Sequence, residues 1–175
     1  MTEDTMAQFL ASVEQKAFRM AMLAVRNRDD AMDIVQDAML KLVQRYSSHD
    51  DAEWPPLFFR ILHHRITDQH RRNTWARWLY PKRNEPDDDN DIPDVADPGL
   101  LPQDQQLHQQ RAMLRLQKAL NGLPLRQQQA YLLRHWQGLD VKATAIAMSC
   151  SEGSVKTHLS RALATLKNEL AEDWP

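Results

Sequence analysis

The sequence predicts an all-α protein of two small helical domains joined by an acidic, proline-rich linker. Apolar residues recur at helical spacing over most of the 175 residues, and only four residues are glycine. Between the helical stretches, residues 79–104 combine prolines with the acidic run DDDND and have no apolar period. We therefore place the first domain at residues 1–78, the linker at residues 79–104 and the second domain at residues 105–175.

The first domain is predicted to contain helices at residues 5–25, 30–46 and 56–78. Asp29 or Asp30 is the expected N-cap of the second helix, and Pro56 is expected to open the third because Pro55 disfavours a helical Trp54. The apolar stripe of the second helix falls at i, i+3 and i+4 spacing, on Ala31, Ile34, Val35, Ala38 and Leu42.

The outer face of the second helix carries Asp33, Gln36 and Asp37. Two interpretations fit these residues. Charged helix faces are usually solvated, and Asp37 with Lys41 makes an i, i+4 pair. The other interpretation is an acidic docking patch for a basic protein partner.

The third helix and the residues after it mix cations with aromatic side chains. From Arg60 to Arg83 a direct count gives seven Lys or Arg against one acid, Asp68. Trp75 and Trp78 lie in this stretch, where they either stack on nucleic-acid bases or belong to the core. His63, His64 and His70 form too weak a constellation for a metal site, so no metal or other cofactor is expected.

The second domain is predicted to be a winged-helix-like, four-helix unit that contains a helix-turn-helix. A helix at residues 103–121, with Met113, Leu116 and Leu120 as its inner stripe, precedes a helix at residues 125–136. Pro124 is expected in the first turn of the latter helix and Gly138 at its end. Asp140 caps the next helix, Ser149 and Cys150 form the turn, and Ser151 caps the last helix. That helix shows short hydroxyls and cations that suit phosphates and base edges, at Lys156, Thr157, Ser160, Arg161 and Lys167.

The composition excludes several classes of protein. The net charge is −2, because the basic stretch from Arg60 to Arg83 is offset by eight acids between Glu85 and Asp104. The single cysteine, Cys150, excludes an internal disulfide and a multi-cysteine zinc site. No apolar run is long enough to cross a bilayer and no signal peptide is evident, so we expect a cytoplasmic protein without membrane insertion.

Four segments, taken in order, resemble RNA polymerase sigma factors of the extracytoplasmic-function group, in the sigma-70 family. DAMDIVQDAMLKLV resembles the family's segment that docks on the polymerase. WPPLFFRILHHRITDQHRR resembles the segment that melts and reads the promoter −10 element. LPLRQQQAYLLRHWQGL and SEGSVKTHLSRALATLK resemble the −35 reader. The resemblance covers residues 9–170 apart from the linker.

This resemblance implies a non-enzymatic transcription initiation factor whose partners are core RNA polymerase, promoter DNA and an anti-sigma factor. It implies three groups of contact residues, with no catalytic residue. Polymerase docking falls on Asp33, Gln36 and Asp37. Contacts to the −10 element fall on Ser48, His49, Arg60, His64, Arg65, Arg71 and Arg72. Contacts to the −35 element fall on Ser154, Lys156, Thr157, Ser160 and Arg161. The linker, extended to roughly 85 Å, would span elements about 70 Å apart.

Several positions depart from the family's usual residues. A Glu is usual where this chain has Ala145, a Gly where it has Ser149, and an Arg where it has His158. In the −10 segment, an Asn is common at His64 and a Trp at Leu57. Promoter preference therefore cannot be copied from relatives.

Other functions stay open at this point. A helix-turn-helix regulator that binds DNA alone would need a dimerisation surface matched to a palindromic site. A helical enzyme using His63, His64 and Asp68 lacks an accompanying nucleophile or phosphate loop. A pure protein-interaction module would function without Lys156 and Arg161.

Overall fold

The structure, a computed structural model, describes residues 2–80 and 103–171. Within them the chain forms the helices α1 (Thr2–Val25), α2 (Arg28–Tyr46), α3 (Trp54–Leu79), α4 (Gln103–Gly122), α5 (Leu125–Tyr131), α6 (Val141–Met148) and α7 (Glu152–Glu169). A 3-10 turn at Asp51–Glu53 precedes α3, and a π turn at Leu132–Trp136 continues α5. These described ranges contain no strand, and the all-α prediction is confirmed. None of their helices is long and apolar enough to cross a bilayer.

The start of α2 differs from the prediction. The helix begins at Arg28, and its N-cap is Asn27 rather than Asp29 or Asp30. The Asp30 amide donates to the Asn27 side chain at 3.0 Å, which satisfies one of the free N–H groups of the first turn. Asp29 and Asp30 instead place negative charge in that turn, where the helix dipole favours it.

The start of α3 also differs, because Trp54 is helical despite the proline after it. The 3-10 turn already carries the chain into a helical conformation, and the Trp54 indole donates to the Tyr46 carbonyl at 3.0 Å. Trp54 is buried, so tertiary anchoring outweighs the local preference of a residue before proline. Pro55 and Pro56 occupy the first turn, where the missing N–H costs nothing.

The predicted helix at residues 125–136 is split. After Tyr131 the chain widens into the π turn, where the Gln137 amide donates to the Leu132 carbonyl at 2.9 Å. Gly138 then ends the segment with φ +72°, as a residue without Cβ allows. Pro124 is the residue before the helix and not part of its first turn.

The core of the first domain lies between α1, α2 and α3. Phe58, Leu62 and Ile66 of α3 have no exposed surface, and the Phe9 ring of α1 contacts those of Trp54 and Phe58 with centroids 6.0 Å apart. The predicted inward stripe of α2 is confirmed, since all its members are buried: Ala31, Ile34, Val35, Ala38 and Leu42.

The helix-turn-helix of the second domain has the predicted caps. Asp140 accepts from the Ala143 amide at 2.7 Å and Ser151 from the Ser154 amide at 3.1 Å. Between the two helices Ser149 adopts φ +51°, a left-handed conformation that favours glycine and fits the family's usual residue there. The buried side of α7 is formed by Val155, Ala162 and Leu166.

The inner stripe predicted for α4 is partly wrong. Leu120 is buried and Leu116 is half-buried, but Met113 is exposed. Met113 is among the residues that line an apolar cavity of about 110 Å³ between α1, α4, α5 and the π turn. The incomplete packing of α4 against α1 leaves Met113 open to solvent.

The two domains pack against each other, chiefly through α3 and α6. A His64 ring nitrogen lies 3.1 Å from the Ser149 hydroxyl, and the Arg26 guanidinium donates to the Asn121 carbonyl at 2.9 Å. The Gln137 amide approaches the Met20 sulfur at 3.2 Å. We call this the closed arrangement. Nothing in the sequence predicts it, because the linker's composition allows the domains any separation up to its full length.

Candidate functional site

On the outer face of α2, two of the three predicted polymerase contacts are exposed to solvent. Asp33 and Gln36 are both exposed. Beside them lie three exposed apolar side chains that the sequence interpretation missed, Met32, Leu40 and Val43, which are 40–55% exposed. They fall off the inward stripe of the helix, a signal that was available in the sequence. An acidic patch with adjoining exposed apolar residues is typical of a protein-docking surface.

Asp37, the third predicted polymerase contact, is already engaged. Its Oδ2 atom lies 2.6 Å from the Arg65 guanidinium and 3.3 Å from the Lys41 ammonium. These contacts are ion pairs without regular hydrogen-bond geometry at that oxygen. Asp37 therefore joins α2 to α3 and couples a predicted polymerase contact to Arg65, a predicted −10 contact.

The loop between α2 and α3 presents Ser48 and His49 to solvent. The His49 amide donates to the Tyr46 carbonyl at 3.0 Å, and its ring lies edge-on to the Tyr46 ring with centroids 5.0 Å apart. These contacts fix the loop, while its hydroxyl and imidazole groups stay accessible.

The predicted −10 residues of α3 fall into two environments. Arg71 and Arg72 are exposed to solvent. Arg60 and His64 are also exposed but border α6: His64 contacts Ser149, and Arg60 lines a surface depression with Ser149 and other residues of the helix-turn-helix. The structure thus brings part of the predicted −10 surface against the predicted −35 domain.

His63, next to His64, is buried in the contact between the domains. Burial, first of all, lowers its pKa from 6.5 to about 4, and the positive charge of Arg126 on α5 adds to that effect. Contact with the Gln129 side chain partly opposes it. His63 is therefore neutral at pH 7, and its lowered pKa depends on the packing of α3 against the second domain. No group of three potential metal ligands occurs in residues 2–80 and 103–171.

The outer face of α7 leaves most of the predicted −35 contacts accessible. Lys156, Thr157, Ser160 and Arg161 are exposed. Ser154 is half-buried and its hydroxyl accepts from that of the N-cap residue, Ser151, at 2.9 Å. Ser154 thus contributes to the start of the helix, and the exposed cations and hydroxyls lie along the following turns.

Trp75 and Trp78 do not belong to the core. They are 62% and 74% exposed, and their rings contact each other with centroids 5.4 Å apart. The structure decides between the two alternatives that the sequence left open for these residues, in favour of a surface position.

Family models match both domains. The model described as sigma-70 region 2 matches residues 6–76, and that described as sigma-70 region 4 matches residues 113–166. The first match covers the α2 face, the loop and most of α3. The second covers the helix-turn-helix and all the predicted −35 contacts.

The sequence similarity to known proteins extends over both domains. The chain is 27% identical over 163 residues to an RNA polymerase sigma-E factor of Streptomyces avermitilis, a match that covers 93% of this chain and 83% of the relative. It is 31% identical over 149 residues to the ECF RNA polymerase sigma factor SigM of Mycobacterium tuberculosis, which covers 85% of this chain and 68% of the relative.

Solved structures show the same fold. The sigma factor RpoE from Bartonella quintana, crystallised with the anti-sigma factor NepR, superimposes with a TM-score of 0.70 at 24% identity, covering 96% of this chain and 98% of that one. CnrH in complex with the cytosolic domain of CnrY gives a TM-score of 0.58 at 17% identity, covering 97% and 89%.

Proposed function

The chain belongs to the extracytoplasmic-function group of the sigma-70 family, and from that premise we propose which of its surfaces carry each step of initiation. Sigma factors bind core RNA polymerase and direct it to promoters; they are not enzymes. The observation that carries the assignment is that most of the predicted contact residues are exposed, on α2, on α3 with the preceding loop, and on α7.

The α2 face is proposed to dock on the polymerase. Asp33 and Gln36 supply polar contacts there, and the neighbouring Met32, Leu40 and Val43 supply apolar area, the combination that protein interfaces use. Asp37 acts less directly, because its carboxylate holds Arg65 on α3.

The promoter −10 element is proposed to meet the loop and α3. Ser48 and His49 are accessible to a flipped base, and Arg60, Arg71 and Arg72 present cations to phosphates. On α7, the exposed Lys156, Thr157, Ser160 and Arg161 are proposed to read the −35 element in the major groove.

The closed arrangement is proposed to be that of the free protein. Elements two helical turns apart on a duplex are separated by about 70 Å. α3 and α6 are in direct contact, so the domains must separate before both elements are read. In addition, α6 borders Arg60 and His64, which restricts the access of DNA to that end of the −10 surface although both side chains are exposed.

An anti-sigma factor is proposed as the third partner. Two solved structures of similar fold are complexes, one of RpoE with the anti-sigma factor NepR and one of CnrH with the cytosolic domain of CnrY. Because polymerase and DNA are its other partners, we place the action of this chain in the cytoplasm.

Polymerase docking is tested by charge reversal at Asp33 combined with Gln36→Ala, using transcription from a genomic fragment library by core polymerase. Asp37 is left intact because its replacement would also release Arg65. We expect specific transcripts with the natural chain and loss of polymerase binding in the variant. Charge reversal at Glu14, an exposed acid of α1, serves as the matched control. Unchanged polymerase binding in the α2 variant would refute the docking assignment.

The −35 assignment is tested by Lys156→Ala with Arg161→Ala. Loss of two phosphate or base contacts weakens promoter binding and reduces its dependence on salt, while polymerase binding stays intact. Arg111→Ala with Lys118→Ala, which removes two exposed cations of α4, is the control of equal charge. Equal losses in both variants would show that the effect is one of overall charge.

A further inference from the structure

The C-terminal end of α3 carries an exposed aromatic surface that the contacts assigned above do not use. It consists of Trp75, Trp78, Leu79 and Tyr80, which are 62%, 74%, 46% and 62% exposed. We call this surface the aromatic tip. Tryptophan is among the most buried residues on average, so a cluster with this exposure indicates a surface that another molecule covers.

The aromatic tip extends past the body of the first domain. The last side chain of α3 that contacts the body in a hydrogen bond is Asn73, which donates to the Val25 carbonyl at 3.4 Å. Every residue from Thr74 to Tyr80 is exposed. The tip therefore adds nothing to the core, and its side chains can be changed without unfolding the domain.

The tip continues the predicted −10 surface along the same helix face. At 3.6 residues per turn, Arg60, His64, Arg71, Trp75 and Trp78 all fall within an arc of about 60°. From Arg60 to Trp78 the helix rises about 27 Å, which corresponds to about eight base pairs of duplex. α6 borders this face at His64 but leaves its far end open.

The positive charge around the tip favours an anionic partner. Arg71 lies on the same arc, and Arg72 and Arg77 flank it, all three exposed. Asp68, at the edge of the arc, is the last acid before Glu85. Aromatic rings beside cations bind single-stranded nucleic acid, because bases stack on the rings while the cations hold the phosphates.

We propose that the aromatic tip is a stacking platform for unpaired bases of promoter DNA at the edge of the −10 element. This rests on the proposed −10 role of α3 and extends it by a contact about six base pairs beyond His64. The family match for region 2 ends at residue 76, so Trp78 and Tyr80 lie outside it. Trp75 lies inside the matched region, so Trp78 and Tyr80 form the part of the platform that the match does not include.

The test uses the full-length chain with core polymerase and a promoter found in the library experiment. Two DNA fragments of one sequence are compared, a complete duplex and one whose −10 strand is left unpaired. In Trp75→Ala with Trp78→Ala we expect affinity for the unpaired fragment to fall roughly 5- to 150-fold for each base that loses its stack, with little change on the duplex. Trp→Phe at both positions should restore most of the affinity, because a phenyl ring still stacks.

Leu114→Ala is the matched control, since it shortens an exposed apolar residue of α4 that lies outside the tip. It should bind both fragments as the natural chain does. Equal losses on duplex and unpaired DNA, or no loss on either, would overturn the proposal. Loss of polymerase affinity with unchanged DNA binding would also overturn it and assign the tip to a protein partner. If the natural chain itself fails to bind polymerase, the proposed function fails and not the stacking platform alone.

Discussion

The buried His63 should make the closed arrangement dependent on pH. It belongs to α3, is only 5% exposed, and faces Gln129 and Arg126 of the second domain, with His64 beside it on its own helix. Separation of the domains would return its imidazole to water. The perturbation is acidification, compared between the natural chain and His63→Gln, whose side chain stays neutral.

The sign and size follow from the pKa of His63. Burial lowers this pKa from 6.5 to about 4, so the closed arrangement binds a proton less readily than the open one. The closed arrangement thus has its full stability above pH 6.5, where His63 is neutral in both arrangements. This stability decreases as the pH falls from 6.5 towards 4, because only the open arrangement binds the proton readily. At pH 5 the loss is about 2 kcal/mol, or roughly 30-fold in the ratio of closed to open molecules.

The assay is energy transfer between dyes on the two domains, attached at Glu14→Cys and Glu169→Cys in a Cys150→Ala background. We expect the transfer efficiency of the His63 protein to fall between pH 7.5 and 5. Most of this dependence should vanish in His63→Gln, because the amide side chain does not titrate. A pH dependence of the same size in both proteins would refute the reasoning.

Three further predictions concern function and stability. The first concerns His64→Cys with Ser149→Cys in the Cys150→Ala background, since His64 and Ser149 are in contact only when the domains are closed. Joining the two cysteines with a bifunctional thiol reagent should abolish promoter-specific transcription, and cleavage of the reagent should restore it. Activity of the cross-linked protein would contradict this. Phe58→Ala should lower the free energy of unfolding in urea by about 3–5 kcal/mol, since the ring is completely buried; a loss below 1 kcal/mol would show that the core refills the space. Ser151→Ala should cost about 1 kcal/mol in the same measurement, because the Ser154 amide loses its cap; a silent substitution would mean that water replaces the hydroxyl.

Local signals in the sequence predicted most of the helices and caps. Asp140 and Ser151 bond to amides three residues ahead, so the sequence contains both partners of each cap. The α3 start at Trp54 was missed because the indole is anchored on Tyr46, eight residues earlier and in another helix. Periodicity predicts which residues are buried, but it does not predict an anchor of this kind.

The candidate sites were predictable to different degrees. The exposure of Lys156 and Arg161 follows from their position opposite the buried stripe of α7. The engagement of Asp37 by Arg65 could not be predicted, because it depends on how α2 packs against α3. For Trp75 and Trp78 a usable signal existed: both share the helix face of Arg60 rather than that of the core residues.

One face of α3 thus both contacts the second domain and carries the proposed DNA contacts. α6 borders Arg60 and His64, whereas Trp75 and Trp78, farther along the same face, stay open in the closed arrangement. DNA therefore has free access to the far end of the face before the domains separate, whereas α6 restricts its access to the near end. Binding energy gained at the open end does not itself favour separation, since the tip is exposed in both arrangements. At neutral pH, contacts to Arg60 and His64 that α6 obstructs, and contacts to polymerase that holds the domains apart, distinguish the two states and supply free energy that opens the protein.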